Sequence, residues 1–261
     1  MNRTLAFAAT GGLELALVSA LGILLAPLGY RLVVWDIRFA LLTLVKWATI
    51  ASLAAFVVCL FAAVGGWMRR QRAGRGYAYV GVLLSVIGAG VPLSHYAQAR
   101  RVPAIHDITT DTEHPPAFVA LAAARAAAPN GLAYAGAAVA AAQQQAYPDI
   151  VPALVPLPPA PLLTQVARVA HEAGWEIVAV EPQQGRLEAT DTSLLFGFTD
   201  DIVIRITPHE RGSRLDIRSM SRVGRSDVGV NAQRIRRFLT RLKAVIARNE
   251  GHGAGQSSAR L

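Results

Sequence analysis

The hydrophobic pattern divides the chain into two parts near residue 100. Residues 1–100 are almost continuously apolar and include three long apolar runs, at residues 11–30, 39–67 and 77–96. A helix needs about 20 apolar residues to cross the hydrocarbon core of a bilayer. Beyond residue 100, charged residues, prolines and alternating apolar positions become frequent. The pattern therefore predicts a membrane domain with three transmembrane helices, followed by a domain outside the bilayer.

The segment 101–160 is rich in alanine and proline and connects the two parts. Alanine dominates from Pro116 to Ala146 and predicts two short helices on either side of the turn at residues 129–131. The prolines that follow Tyr147 cannot continue a helix and fix an extended path. We expect this extended connecting segment to pack on the domain that follows it.

Residues 161–248 have the periodicity of a compact α+β domain. Apolar residues at helical spacing predict a short helix first, and four alternating stretches then predict an antiparallel meander. In the third strand, Ile202, Ile204 and Ile206 share one face. Apolar residues at three- and four-residue spacing from Val228 to Ile246 predict a long C-terminal helix. The predicted fold is a membrane-anchored α+β protein with a four-stranded sheet packed on that helix. The tail, residues 249–261, is expected to be disordered.

The formal net charge of +9 belongs to the membrane part. Residues 1–101 contain ten Lys or Arg and two acids, which gives +8, whereas residues 102–261 contain sixteen bases and fifteen acids, which gives +1. Because the second part has almost no net charge, the sequence does not favour a nucleic-acid partner. Cys59 is the only cysteine and cannot form a disulfide within one chain.

Basic residues in short loops predict the orientation. The loop between the second and third runs contains Arg69, Arg70, Arg72 and Arg75 and no acid. Such loops stay in the cytoplasm. Three spans then place the amino terminus in the cytoplasm and the second domain on the opposite side, which for an inner-membrane protein is the periplasm. Arg100 and Arg101, after the third run, oppose this rule.

The polar segment after the third run contains five residues of metal-ligating types, which are His106, Asp107, Asp111, Glu113 and His114. Their spacing does not fit a calcium loop, because Thr112 and Phe118 stand where that loop requires glycine and glutamate. Two histidines eight residues apart on non-helical chain have no enforced geometry. We therefore expect no metal and no cofactor, and assign these residues to turns and packing.

Several motifs together resemble the domain-of-unknown-function family 1499. They are "HDITTDTEHPPAF", "AYPDI", "EAT", "FGFTDDIVIR" and "GSRLDIRSMSRVGRSDVGVNAQRI", and they lie between residues 102 and 242. The family includes bacterial members with several amino-terminal membrane spans. The resemblance implies no activity, because none is agreed for the family.

Charge is segregated inside the second part. Residues 102–217 carry six bases and thirteen acids, net −7, and residues 218–248 carry nine bases and one acid, net +8. Arg218, Arg222 and Arg225 precede the last helix, whose amides could help them to bind an anion. Asp200 and Asp201 are further candidates for the same site. The alternative is that these arginines pair internally with acids of the sheet, namely Asp191, Asp200, Asp201 or Asp216.

The stretch "GRSDVG" superficially resembles the nucleophile elbow of hydrolases. Val228 stands where the second glycine of that motif is required, and a meander provides no parallel unit to support an elbow. Ser226 or Asp227 is instead expected to cap the last helix. We therefore favour a binding or accessory module of the cell envelope, with an anionic lipid or an envelope protein as its partner, and no catalysis. The alternative is a membrane-bound hydrolase that uses residues 221–231.

Overall fold

The computed structural model describes residues 3–257, with side chains as far as residue 249. Three long helices come first: α1 (Arg3–Arg31), α2 (Lys46–Met68) and α3 (Arg75–Ala99). A π-helical turn, Phe39–Val45, leads directly into α2. All three are long and apolar enough to cross a membrane. The three helices predicted from the apolar runs are confirmed.

Small residues let the three long helices approach one another closely. Cys59 of α2 is fully buried, and Gly12 of α1 and Gly81 of α3 lie against it. A Cβ atom at either glycine would overlap the Cys59 Sγ atom. Close backbone approach through small residues is the usual packing of membrane helices, because lipid provides no hydrophobic drive for their association.

The second unit of the chain starts at residue 101 and contains all the strands. Its elements, in chain order, are β1 (Asp107–Thr109), α4 (Ala122–Ala126), α5 (Ala137–Ala146), β2 (Ala153–Val155), α6 (Pro159–Glu172), β3 (Glu176–Glu181), β4 (Arg186–Thr192), β5 (Thr199–His209), β6 (Gly212–Ser221) and α7 (Val230–Ser257). The two short helices predicted around the 129–131 turn correspond to α4 and α5.

The sheet has six strands, so the predicted number of four is wrong. Strands β3 to β6 form the expected antiparallel meander. The two additional strands come from the connecting segment and pair side by side with the outer edge of β6, β1 along residues 218–220 and β2 along residues 213–215. Each has three residues, which is too short to show a period of two in the sequence. The connecting segment is thus an integral part of the sheet.

One face of the sheet forms the apolar core with α6 and α7. Ile202, Ile204 and Ile217 are fully buried there, as the alternation of the strands predicts. The ring of Trp175 stacks on that of Phe238 of α7, with centroids 4.9 Å apart. The predicted cover by the C-terminal helix is therefore confirmed, and α6 shares this role.

The C-terminal helix is longer than its apolar stripe predicts. It continues to Ser257, beyond residue 248, where the sequence suggests that a disordered tail begins. Residues 258–261 of that predicted tail lie outside the described residues. Ile246 is the last residue of this helix that belongs to the described core.

Candidate functional site

The second face of the sheet is polar, and the connecting segment between residues 111 and 135 covers it. Cross-strand partners on this face are Asp201 with Met220 and Val203 with Arg218. Val203 and Met220 pack against Phe118 and Leu121 of the covering segment. The charged side chains of this face are therefore withdrawn from water, and buried charges require partners.

Asp201 is the centre of the first buried ion-pair group. Its Oδ2 atom accepts a hydrogen bond of 2.8 Å from Nη1 of Arg125, and both side chains are fully buried. Arg125 also donates to the carbonyl oxygens of Gly131 and Met220. Arg222 donates from Nη2 to Oδ1 of Asp201 at 2.8 Å. One carboxylate thus neutralises Arg222 and fixes α4 through Arg125.

Arg218 forms the second group with Asp107 of β1. Its Nε and Nη2 atoms donate to the two carboxylate oxygens of Asp107 at 2.9 and 2.8 Å, which is a bidentate pair. The guanidinium carbon lies 5.1 Å from the ring centroid of Phe118 and 5.5 Å from that of Tyr134. Burial, assisted by the Asp107 carboxylate, raises the pKa of Tyr134 to about 12. The Arg218 guanidinium group therefore has its partners inside the domain.

Asp200 and Asp201 point to opposite faces, as expected for neighbours in a strand. Asp200 lies on the core side, where Nη2 of Arg234 donates to its Oδ2 atom at 2.7 Å. Arg234 also pairs with Asp191 at 2.8 Å. The five candidate residues therefore do not form one site. Arg218 and Arg222 have carboxylate partners, in agreement with the structural alternative, and Asp200 belongs to a separate group.

Glu188 of β4 is a fully buried carboxylate that the sequence analysis did not single out. It accepts hydrogen bonds from the backbone amides of Val119, Ala120 and Leu121, at 2.9, 3.0 and 2.9 Å. These amides begin the turn that leads into α4. Glu188 therefore attaches the covering segment to the sheet through three charge-assisted hydrogen bonds.

Asp111, a residue of metal-ligating type, is bound by two arginines. Its Oδ2 atom accepts from Arg205 at 3.0 Å and from Arg214 at 2.8 Å, and its Oδ1 atom accepts from the His114 amide. Burial alone would raise the pKa of Asp111, but the His114 amide and the two guanidinium groups outweigh it and lower the pKa. Among the side chains that the structure describes, no three or more His, Cys, Asp and Glu residues are grouped to hold a metal ion.

Backbone amides at the start of α7 donate hydrogen bonds to side chains of the same chain. Asp227 accepts from the amides of Gly229 and Asn231 at 2.8 and 2.9 Å, and Ser226 Oγ accepts from the Val228 amide. The predicted capping role is confirmed. Burial raises the pKa of Asp227 although both amide hydrogen bonds lower it. The amides of Gly229, Val230 and Asn231 at the start of this helix are therefore hydrogen-bonded within the chain.

Arg225 differs from the other two arginines because it is exposed. In the part of the chain that the structure describes, no carboxylate lies within ion-pair distance of it. Arg225 lines a cavity of about 180 Å³ at the end of β1. The other lining residues are Ala104, Ile105, His106, Asp107, Asn130, Ala135 and Val139.

The cavity combines a positive rim with an apolar wall. Asn130 is held in place by donating from Nδ2 to the carbonyl oxygens of Ser221 and Gly224. Gly224 has a φ of 92°, so a residue with a side chain would be strained there, and the turn brings Arg225 to the rim. Asp107 is neutralised by Arg218, which leaves Arg225 as the charge that dominates the cavity.

The sequence indicates Arg225 as a candidate but does not indicate that Asn130 lies close to it. Asn130 lies in the 129–131 turn, about ninety residues away along the chain, and hydrogen-bonds across to the β6–α7 turn. Asn–Gly in a connecting segment signals a turn and nothing about long-range contacts. Only co-variation between these positions could have signalled their proximity.

The structure defines a small α+β domain joined to three helices that are long and apolar enough to cross a membrane. The family model described as "Protein of unknown function (DUF1499)" matches residues 107–242, slightly more than half of the chain. The chain belongs to this family, and the resemblance seen in its motifs is confirmed. The match begins with β1, so the family unit includes the covering segment. A search of the curated proteins finds no match.

Proposed function

We propose that the second unit is a binding module, held at a membrane by the three long helices, that recognises an anionic group in the Arg225 cavity. The observation that carries this proposal is the exposed Arg225 guanidinium on the rim of a 180 Å³ cavity, without a carboxylate partner among the described residues. In this domain, Arg125, Arg218, Arg222 and Arg234 all have such partners.

The chemistry of the cavity suits a phosphate or carboxylate group. A guanidinium group presents parallel N–H donors that match two oxygens of such a group. Val139 and Ala135 provide an apolar wall. Asn130 and His106 add polar residues to the lining. Cavities for drug-sized ligands are about 300–1,000 Å³. The smaller volume here fits the charged end of a ligand whose remaining part stays outside.

Substitution of Arg225 tests this function. Intact protein in nanodiscs of neutral lipid is titrated with glycerol 3-phosphate and with acetate by calorimetry, and we expect Arg225→Gln to weaken the binding roughly 10- to 100-fold. That range corresponds to the loss of a hydrogen bond to a charged group, about 1.5–3 kcal/mol. The two ligands distinguish phosphate from carboxylate recognition.

Arg211→Gln is the matched control, because Arg211 is an exposed arginine in the β5–β6 turn and does not line the cavity. It should leave both affinities unchanged. If Arg225→Gln binds as tightly as the original protein, or if neither anion binds, the proposed function is wrong.

We also propose that the module faces the periplasm and that the amino terminus is cytoplasmic. The four arginines between α2 and α3, with no acid among them, support this orientation. An alkaline phosphatase fusion after Arg101 should be active in cells, because this enzyme requires an oxidising compartment for its disulfides. An inactive fusion, produced at the same level, would reverse the orientation.

A further inference from the structure

We propose that the exposed basic face of α7 binds the surface of an anionic phospholipid bilayer. Residues 230–248 of this helix contain six bases and no acid. Arg234 pairs with Asp191 and Asp200, and Arg236 pairs with Asp149. The other four, which are Arg237, Arg241, Lys243 and Arg248, are exposed.

The geometry of the helix aligns most of these exposed cations. At about 3.6 residues per turn, Arg237, Arg241 and Arg248 fall on one side, over a length of roughly 16 Å. The core residues Phe238 and Leu242 face the sheet, and they are almost completely buried. The cations therefore form a stripe on the side of α7 that the domain leaves in solvent.

Among the described residues, the acids of the domain do not neutralise Arg237 and Arg241 of this stripe. The acidic half of the domain, net −7, could in principle balance the basic half, net +8. The acids of the sheet instead pair with other arginines, as described above for Asp107 and Asp201, and Asp216 pairs with Arg205. For Arg237, Arg241 and Lys243, no carboxylate among the described residues lies within ion-pair distance.

A lipid surface fits this stripe better than a protein partner does. The exposed residues beside the cations, Gln233, Thr240 and Ala244, are uncharged and carry no aromatic ring. Protein interfaces are centred on aromatic residues, whereas anionic headgroups attract basic clusters that have no apolar anchor. The three long helices would keep the domain close to a bilayer, which favours such a contact through a high effective concentration.

Energy transfer between α7 and the bilayer tests the proposal. The intact chain carries Thr240→Cys with a donor dye, and Cys59→Ala removes the only other cysteine. The protein is placed in nanodiscs that contain acceptor-labelled phosphatidylcholine, with or without phosphatidylglycerol. We expect higher transfer with phosphatidylglycerol, and a loss of this difference in about 1 M salt, where the Debye length falls to about 3 Å.

Arg237→Gln/Arg241→Gln should lower the docking equilibrium constant roughly 25-fold, since each cation near such a surface contributes a factor of roughly five. Arg168→Gln/Arg211→Gln removes the same charge at exposed positions outside α7 and should have no effect. Equal transfer in the two lipids, or an equal loss in both double variants, would overturn the proposal. Because Arg225 is unchanged in all of these proteins, the result is independent of the proposed anion cavity.

Discussion

Replacing Arg125 with methionine is expected to lower the free energy of unfolding of the second unit by about 3–5 kcal/mol, the usual cost of breaking a buried ion pair. Arg125 and Asp201 are both fully buried, and their hydrogen bond is 2.8 Å long. Methionine keeps much of the side-chain volume but removes every donor. Asp201 would then retain Arg222, while the Gly131 and Met220 carbonyl oxygens would lose the Arg125 donors.

Urea denaturation of the intact chain in detergent micelles measures this change. Trp175 is the only tryptophan beyond residue 100, so fluorescence reports the second unit once Trp35, Trp47 and Trp67 are replaced by phenylalanine in every protein compared. Arg168→Met is the control, because the Arg168 side chain is 48% exposed and its contact with Glu172 is long, 3.9 Å. An Arg125→Met protein as stable as this control would show that the buried pair does not hold α4 on the sheet.

Replacing Glu188 with alanine is expected to destabilise the same unit by about 3 kcal/mol or more. The carboxylate accepts from the amides of Val119, Ala120 and Leu121, and its loss leaves these donors without their partner. A hydrogen bond to a charged group contributes about 1.5–3 kcal/mol, and three are lost here. The covering segment, rather than the apolar core, should open first, because Glu188 lies on the face opposite to α6 and α7.

Two measurements on the intact chain, limited proteolysis and urea denaturation, distinguish this local opening from global unfolding. We expect faster cleavage between residues 111 and 135 in Glu188→Ala, and an intermediate rate in Glu188→Gln, which retains one amide oxygen as acceptor. Glu210→Ala, at an exposed position in the β5–β6 turn, is the control. If Glu188→Ala and Glu210→Ala are cut at the same rate, the three hydrogen bonds are not what fixes the segment.

Alternation and helical spacing predicted the meander and the long helix because those elements have one apolar face. Ile202, Ile204 and Phe238 reveal their burial through periodicity alone. The strands β1 and β2 have too few residues for any period, and their pairing with β6 depends on contacts distant in sequence. This is why four strands were predicted where the sheet has six.

The polar face could be predicted only in part. Alternation places Arg218 and Arg222 on one side of β6, but it cannot show that another segment covers that side. Arg125 stands in an alanine-rich stretch, where an arginine is ordinarily a solvated surface residue. Its burial depends on Asp201, 76 residues further along the chain. The candidate site was therefore predicted as a cluster of three arginines, and two of them have internal partners.

The reactivity of individual arginines tests most directly whether Arg225 is the cation available to a ligand. Intact protein in neutral nanodiscs is treated with phenylglyoxal, which modifies exposed guanidinium groups, and the modified peptides are identified by mass spectrometry. Arg225 should react and be protected by glycerol 3-phosphate or acetate, whereas the buried Arg125 and Arg218 should not react. An Arg225 that does not react, or that neither anion protects, would contradict this assignment.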